Sequence, residues 1–155
     1  MKLEVLDMEE KDLPLVLEME QICFKDPWNI AALKYEFFDN PYSHQIVLKS
    51  IDEESNETLV GFCIYWVTFD SATICQIAVH PSFRRKHLGS YLLKEMLDEC
   101  YAKRAEFVTL EVRKSNLSAI EFYKHNGFEI ITTKPHYYND GEDAYYMLRK
   151  VDIIL

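Results

Sequence analysis

The clearest pattern in this sequence is an amphipathic helix that lies between two strands. Apolar residues recur at helical spacing over residues 88–101, and the spacing predicts a helix with one buried face. The segment before it, about 72–79, reads as a strand that stops at His80-Pro81, and residues 107–112 after it alternate in polarity as a half-buried strand does. A helix flanked by strands in this way requires a sheet with a helical layer packed on it.

The other elements follow from the few residues that interrupt regular structure. Only 4 glycines and 5 prolines occur among the 155 residues, so each break is informative. They separate further strands at about 2–6, 44–51, 58–67, 128–133 and 144–149, and helices at about 12–23 and 30–38 and after Asn116. Asp12 and Asn116 are expected to cap their helices, and Gly127 suits a left-handed position at a helix end. The order predicts one α/β domain over residues 1–155 with a mixed sheet.

Composition limits the partners that the chain can have. The 26 acidic residues exceed the 17 basic ones, and a net charge of −9 argues against binding nucleic acid through the overall field. No apolar run approaches the roughly 20 residues that cross a bilayer, so no membrane association is expected. The first residues also lack the basic-then-apolar order of a signal peptide.

Cysteine and histidine spacing gives no sign of a metal or of a disulfide framework. The four cysteines, Cys23, Cys63, Cys75 and Cys100, are scattered and form no C-x-x-C pair. The histidines show no ligand spacing either, so we expect no metal site. A reducing, cytoplasmic location is therefore expected.

The positive charge is concentrated in one turn, Arg84-Arg85-Lys86-His87, which opens directly into the amphipathic helix. Backbone N–H groups at a helix N-terminus are unsatisfied and attract anions. Gly89 allows the backbone to approach a ligand closely, and Ser90 adds a hydroxyl donor. The segment reads as a pyrophosphate cradle or, alternatively, as a solvated basic turn. It lacks the glycine pattern of a P-loop and that of a dinucleotide-binding fold.

Several segments together resemble the GCN5-related N-acetyltransferases, the GNAT family. Residues 84–89 are similar to the family's Q/R-x-x-G-x-G/A acetyl-CoA signature. Further segments resemble the RimI-type and archaeal branch, whose members acetylate protein N-termini: LEVRKSN at 110–116, Ala119, Ile120 and Tyr123, NGF at 126–128, YYNDGEDA at 137–144, and Phe24 with PWN at 27–29. His87 departs from the pattern, which has glycine there; its side chain either crowds the phosphates or adds a donor to them.

The resemblance implies a fold and a co-substrate. The fold is the GNAT fold, an α/β (α+β) arrangement in which a mixed, mostly antiparallel sheet of about seven strands is flanked by about four helices. The co-substrate is acetyl-CoA. Its pantetheine arm would lie along Ile77, Ala78 and Val79, where the strand splays from its neighbour, and Asn116 would hydrogen-bond that arm. Its pyrophosphate would contact the turn formed by Arg84, Arg85, Lys86, His87, Leu88, Gly89 and Ser90.

The resemblance also implies the reacting groups. Glu111 would be the general base and Tyr123 the general acid that protonates the leaving thiolate, with the amine attacking the thioester directly. Without the motif, Glu111 reads as a surface carboxylate and Tyr123 as core packing. Tyr137 and Tyr138 would cover the peptide groove. Its opposite wall, or part of the core, would be formed by Trp28, Phe24 and Tyr35.

The function predicted from the sequence is transfer of acetyl from acetyl-CoA to the free α-amino group of a protein or peptide, of the ribosomal-protein alanine type. One alternative is a small-molecule amine acetyltransferase that acts on a polyamine or an aminoglycoside. Another is a non-catalytic acetyl-CoA-binding module. Two local readings also stay open: Cys75 invites a thioester-enzyme mechanism but reads better as a structural cysteine, and the acidic turn 52–54 is a solvated loop or attracts a basic ribosomal protein.

Overall fold

All strands belong to one sheet in the computed structural model, which describes residues 2–84 and 87–152. The strands are β1 Lys2–Asp7, β2 Ser43–Ile51, β3 Glu57–Thr68, β4 Ser71–Val79, β5 Phe107–Arg113, β6 Glu129–Lys134 and β7 Ala144–Lys150. They lie in the order β1-β2-β3-β4-β5-β7-β6, and every pair is antiparallel except β4 with β5. The mixed, mostly antiparallel sheet that the resemblance implied is thus confirmed.

In the part of the chain that the structure describes, four α-helices accompany the sheet, as expected. They are α1 Leu13–Cys23, α2 Ile30–Lys34, α3 Leu88–Ala102 and α4 Leu117–His125. The second helix continues as a π-helical turn, Tyr35–Asp39, so the predicted helix over 30–38 is present but changes its winding partway. Among the described residues, none of the helices combines the length and the apolar character needed to cross a bilayer.

Two separate hydrophobic cores hold these helices on the sheet. The larger core joins α3 and α4 to one face through buried residues such as Leu92, Met96, Leu110 and Ile120. The smaller core joins α1 and α2 to β2, β3 and the end of β4, with Phe62 among its buried members. Among the described residues, the part of that second face formed by β5, β7 and β6 contributes no buried residue to the smaller core.

The parallel contact between β4 and β5 is short. Only three residue pairs form it, and the last is Thr73 with Thr109. Beyond that point residues 74–79 of β4 stay paired with β3, whereas the rest of β5 stays paired with β7. A register irregularity between Ile64 and Tyr65, opposite Cys75, bends β4 at the start of this divergence. The sheet therefore opens into a split that faces the N-terminus of α3.

The prediction that Asp12 caps the first helix is wrong. The residue ends a 3-10 turn, and its carboxylate accepts the Glu9 N–H at 2.9 Å instead of an N–H of α1. The same carboxylate lies 2.8 Å from Lys49 Nζ on β2, and both side chains are almost fully buried. A distant cation outcompetes the local cap because a buried ammonium needs a counter-charge. Asn29 and Asn116 do cap their helices.

This buried ion pair can be tested against a matched exposed one. Lys49 Nζ also lies 2.9 Å from Glu57, whose side chain is 35% exposed. We expect Asp12→Ala to lower the free energy of unfolding by about 3 kcal/mol, because it leaves the inner side of a buried ammonium unpaired. The control, Glu57→Ala, should cost much less because water replaces the lost partner. Urea unfolding measures both, and equal losses would contradict the assignment.

Candidate active site

A cleft of about 630 Å³ lies where the sheet splits, between the end of β4, the start of α3, and α4. Ile77, Ala78 and Val79, which the resemblance assigned to the pantetheine arm, line it from the strand. Cys23 and Phe24, at the end of α1, line it from the side of the smaller core. The cleft therefore lies where β4 meets α1, α3 and α4, beside the split between β4 and β5.

The free edge of β4 presents backbone groups to this cleft. The His80 N–H donates to the Val60 carbonyl at 2.8 Å, and hydrogen-bonded pairs alternate along an antiparallel ladder, so Ala78 also turns its backbone groups toward β3. The backbone groups of Ile77 and Val79 consequently face the other side of β4, where β5 no longer pairs with it. The Val79 carbonyl there accepts a hydrogen bond from Arg84 Nε at 3.0 Å.

The start of α3 borders the same cleft. Gly89 and Ser90 line it, whereas the Leu88 side chain is buried in the larger core. A Cβ on residue 89 would lie 3.1 Å from Phe122 of α4, so glycine keeps the two helices close together. The Ser90 hydroxyl accepts a hydrogen bond from Asn126 Nδ2 at 3.2 Å. Of the predicted turn, Arg85 and Lys86 lie outside the described residues.

His87 adopts a backbone conformation that explains the glycine of the family pattern. Its φ is +58° and its ψ is 20°, in the left-handed region, at the N-cap position of α3. Glycine enters this region without a steric cost, whereas other residues are strained there. The exposed His87 side chain lines the cleft together with Arg84.

Asn116 and Tyr123 reach the cleft from α4. Asn116 Oδ1 accepts the Ala119 N–H at 3.2 Å and so caps the helix beside the cleft. Tyr123 is buried and packs edge-on against Phe122 and Phe128, yet it lines the cleft. Burial raises the pKa of its phenol, and the nearby Tyr138 raises it further. This phenol therefore stays protonated over the whole physiological range.

Glu111 lies on the other side of the split. Its neighbours Leu110 and Val112 point into the larger core, so the Glu111 side chain points to the opposite face of β5. The side chain is 19% exposed, and its carboxylate accepts a hydrogen bond from Lys134 Nζ at 2.7 Å. The two predicted catalytic residues thus approach the split from different elements.

The segment between β6 and β7 covers the Glu111 face. Tyr137 and Tyr138 lie on it with ring centroids 5.0 Å apart, and Tyr137 is half exposed. Burial raises the pKa of both phenols, that of Tyr138 to about 12, and nearby Glu111 raises the pKa of Tyr137 further. The tyrosines therefore lie close to the Glu111 carboxylate.

Trp28 lies apart from this group. Its ring packs on the smaller core, and its backbone N–H donates to the buried Glu20 carboxylate at 2.9 Å. The same Glu20 oxygen accepts a hydrogen bond from Gln76 Nε2 at 2.9 Å, so Glu20 links the α1–α2 connection to β4. Of the three aromatics predicted for the opposite wall or the core, Phe24 lines the cleft, Trp28 contributes to the core and Tyr35 is mostly exposed.

Arg113 joins the two sides of the groove, which the sequence patterns did not predict. Its guanidinium pairs with Asp26 of the α1–α2 connection and lies 2.9 Å from both Asp140 and Glu142 after β6. It also stacks 4.0 Å from the ring centroid of Tyr138. The available signal was its spacing, since Arg113 shares the strand face of Glu111 two residues away.

Comparisons with known proteins agree with this geometry. The profile of the Acetyltransferase (GNAT) family matches residues 13–128. The [ribosomal protein bS18]-alanine N-acetyltransferase of Salmonella typhimurium is 34% identical over 139 residues, 88% of this chain and 89% of that protein. A Bacillus subtilis protein provisionally named for the same reaction is 35% identical over 147 residues, 94% of either chain.

A solved structure gives the same result. The ribosomal-protein-S18-alanine N-acetyltransferase of Escherichia coli matches with a TM-score of 0.84 at 29% identity, over 99% of this chain and 97% of that one. The family profile covers most of the chain, and the relatives align with almost all of it. This chain therefore belongs to the GNAT family of N-acetyltransferases.

Proposed function

We propose that this protein is an N-terminal α-acetyltransferase, which transfers acetyl from acetyl-CoA to the free α-amino group of a peptide or protein. The observation that carries the proposal is the split between β4 and β5. It has a buried phenol, Tyr123, on one side and a carboxylate, Glu111, beside paired tyrosines on the other. The relatives named for ribosomal protein bS18 support a ribosomal-protein N-terminus, with alanine first, as the acceptor.

The residues of the cleft fit acetyl-CoA. The co-substrate supplies the acetyl thioester, a long amide-containing arm and a pyrophosphate. The free backbone edge at Ile77 and Val79 can pair with the arm, and its N–H groups can polarise the thioester carbonyl. The N-terminus of α3 with Arg84 and Ser90 suits the pyrophosphate. Asn116 at the start of α4 lies within the same cleft and can hydrogen-bond the arm.

Glu111 suits an acceptor that is only weakly protonated. An α-amino group has a pKa of about 7.7–8.0, whereas a lysine side chain has one of about 10.4. A carboxylate, acting directly or through one water, can take the proton of the first far more easily than that of the second. The proton balance therefore favours peptide N-termini over lysine side chains as acceptors.

Tyr123 suits the role of the acid. Its raised pKa keeps the phenol protonated until a thiolate leaves the tetrahedral intermediate. Transfer from an ordinary phenol to a thiolate is uphill by about 2 kcal/mol. The raised pKa of Tyr123 adds to this cost, which becomes part of the catalytic barrier.

Cys75 fits direct attack by the amine better than a thioester-enzyme intermediate. Its thiol packs on the smaller core, and burial raises its pKa, with Glu36 and Glu111 raising it further. Thiolates rather than thiols act as nucleophiles. We therefore assign Cys75 to packing.

Among the described residues no group of three or more acidic, histidine or cysteine side chains is arranged to hold a metal ion.

Single-turnover transfer from labelled acetyl-CoA tests the proposed function. The acceptors are short peptides that begin with Ala, Ser, Thr, Met or Glu, matched N-blocked peptides with an internal lysine, and free polyamines and aminoglycosides. We expect transfer to free N-termini, with alanine among the best. Transfer confined to the small amines would assign the protein to the small-molecule acetyltransferases. Binding of acetyl-CoA without any transfer would favour a binding module.

Replacement of the phenol tests the proposed acid. We expect Tyr123→Phe to lower kcat by at least about tenfold, because the thiolate then leaves without a proton donor. The affinity for acetyl-CoA should change little. Tyr91→Phe is a matched control, because this half-buried tyrosine packs on the larger core and does not line the cleft. An unchanged kcat in Tyr123→Phe would remove the residue from the mechanism.

The left-handed backbone at His87 generates a prediction for co-substrate binding. Glycine is the residue that fits a φ of +58° best, and it opens the mouth of the cleft. We expect His87→Gly to bind acetyl-CoA at least as tightly as the natural chain, as measured by calorimetry. Severalfold weaker binding would instead show that the imidazole donates to the phosphates.

A further inference from the structure

The ammonium group of Lys134 lies in a site built for a cation. Its Nζ is 2.7 Å from Glu111 Oε1, 4.6 Å from the ring centroid of Tyr146 and 5.6 Å from that of Tyr137. A carboxylate with aromatic faces around it is a common arrangement for binding ammonium ligands. We call these three side chains, Glu111, Tyr137 and Tyr146, the ammonium box.

The register of the sheet explains why a lysine from β6 reaches this box. Glu111 on β5 pairs with Tyr146 on β7, and Tyr146 in turn pairs with Thr132 on β6. Lys134 lies two residues beyond Thr132 and therefore on the same face. Its side chain crosses β7 diagonally, over the ring of Tyr146, to meet the carboxylate two strands away.

We propose that Lys134 is a positioning residue whose ammonium fills the acceptor-amine site of the free enzyme until the α-ammonium of a peptide takes its place on Glu111. The proposal rests on the proposed function, because it takes Glu111 as the group that receives the acceptor. The chemical match is direct, since a lysine side chain and a peptide N-terminus both end in R–NH₃⁺.

The exposures of the pair fit such an exchange. The Lys134 side chain is 40% exposed, so its ammonium is already close to water and can leave Glu111 for it. The Glu111 side chain is 19% exposed and is anchored in the middle of the sheet. The lysine can thus leave while the carboxylate stays in place for the acceptor.

Lys134 can hold this place without becoming an acceptor itself. The hydrogen bond to Glu111 raises its pKa above the ordinary lysine value, and the charge of the same carboxylate adds to the effect. A protonated amine has no lone pair with which to attack a thioester. The α-amino group that replaces it has an ordinary pKa more than about 2 units lower. Glu111 raises the pKa of either amine, so the exchange still brings a more easily deprotonated amine to the site.

Removal of the charge while the stem is kept gives the sharpest test. We expect Lys134→Met to bind a free-N-terminal peptide about fivefold more tightly in the presence of CoA, because no ion pair or cation–π contact has to be broken first. The peptide KM should fall by a similar factor, while kcat stays within about twofold and the KM for acetyl-CoA is unchanged. Lys134→Arg keeps a cation that can occupy the ammonium box, so its peptide KM should stay at the natural value.

Either of two results in the methionine variant would overturn the proposal. A higher peptide KM would mean that Lys134 binds the substrate, and an unchanged KM would mean that it only supports the fold.

A labelling experiment separates this proposal from the proposed function. Acetic anhydride labelling of Lys134 is followed by mass spectrometry, with Lys94, which pairs with Asp98 on α3, as the internal reference. Tetramethylammonium chloride, compared with sodium chloride at equal ionic strength, should raise the labelling of Lys134 relative to Lys94 by displacing it from the box. If labelling rises but no peptide is acetylated, the result supports occupation of the ammonium box by Lys134 and contradicts the proposed function. If peptides are acetylated but labelling does not rise, only the occupation of the box by Lys134 is overturned.

Discussion

The structure depends on the point at which β4 and β5 stop pairing. Three parallel residue pairs hold the halves of the sheet together, and beyond Thr73 each strand follows its own antiparallel partner. A strand inside a sheet normally has no free backbone N–H or C=O groups, because the strands on both sides pair with them. Here the split leaves the β5 side of β4 without a neighbouring strand at Ile77 and Val79, and the Val79 carbonyl accepts a hydrogen bond from Arg84 instead. A ligand with its own amide groups can complete that edge as another strand would.

The two sides of the split are held by different forces. Tyr123 is fixed by apolar packing in the larger core, between the rings of Phe122 and Phe128. The face that bears Glu111 is organised by charge instead, through Arg113 and Lys134. Packing holds the phenol rigidly in a dry environment, whereas partly exposed ion pairs exchange more readily with water and with ligands. The Tyr123 side thus stays fixed, while the Glu111 side can rearrange.

Arg113 and Glu20 connect the α1–α2 segment to the rest of the site from two directions. Arg113 reaches it through Asp26 and also holds the β6–β7 segment. The buried Glu20 carboxylate, whose pKa is raised by burial, binds the backbone of Trp28 and the side chain of Gln76. The segments on either side of the groove are therefore linked to each other and to the strand that lines the cleft.

Much of the site was predictable because its residues act through local chain geometry. The cap of α4 by Asn116, the left-handed Gly127 and the strand face of Glu111 each depend on neighbours within four residues. The resemblance to the family then supplied the roles that local geometry alone left open. Asp12 shows the limit of such reasoning: its pattern predicted a cap, but the residue pairs with Lys49 on another strand.

The sequence alone is enough to predict the order of the elements and the strand face on which each side chain lies, because periodicity and capping are short-range effects. What those faces contact depends on how the strands and helices assemble. The insertion of β7 between β5 and β6 brings Lys134 to Glu111, and the approach of the α1–α2 connection brings Asp26 to Arg113. Such contacts join residues 23 and 87 positions apart. Sequence spacing does not encode them, because they depend on which strands become neighbours after the chain has folded.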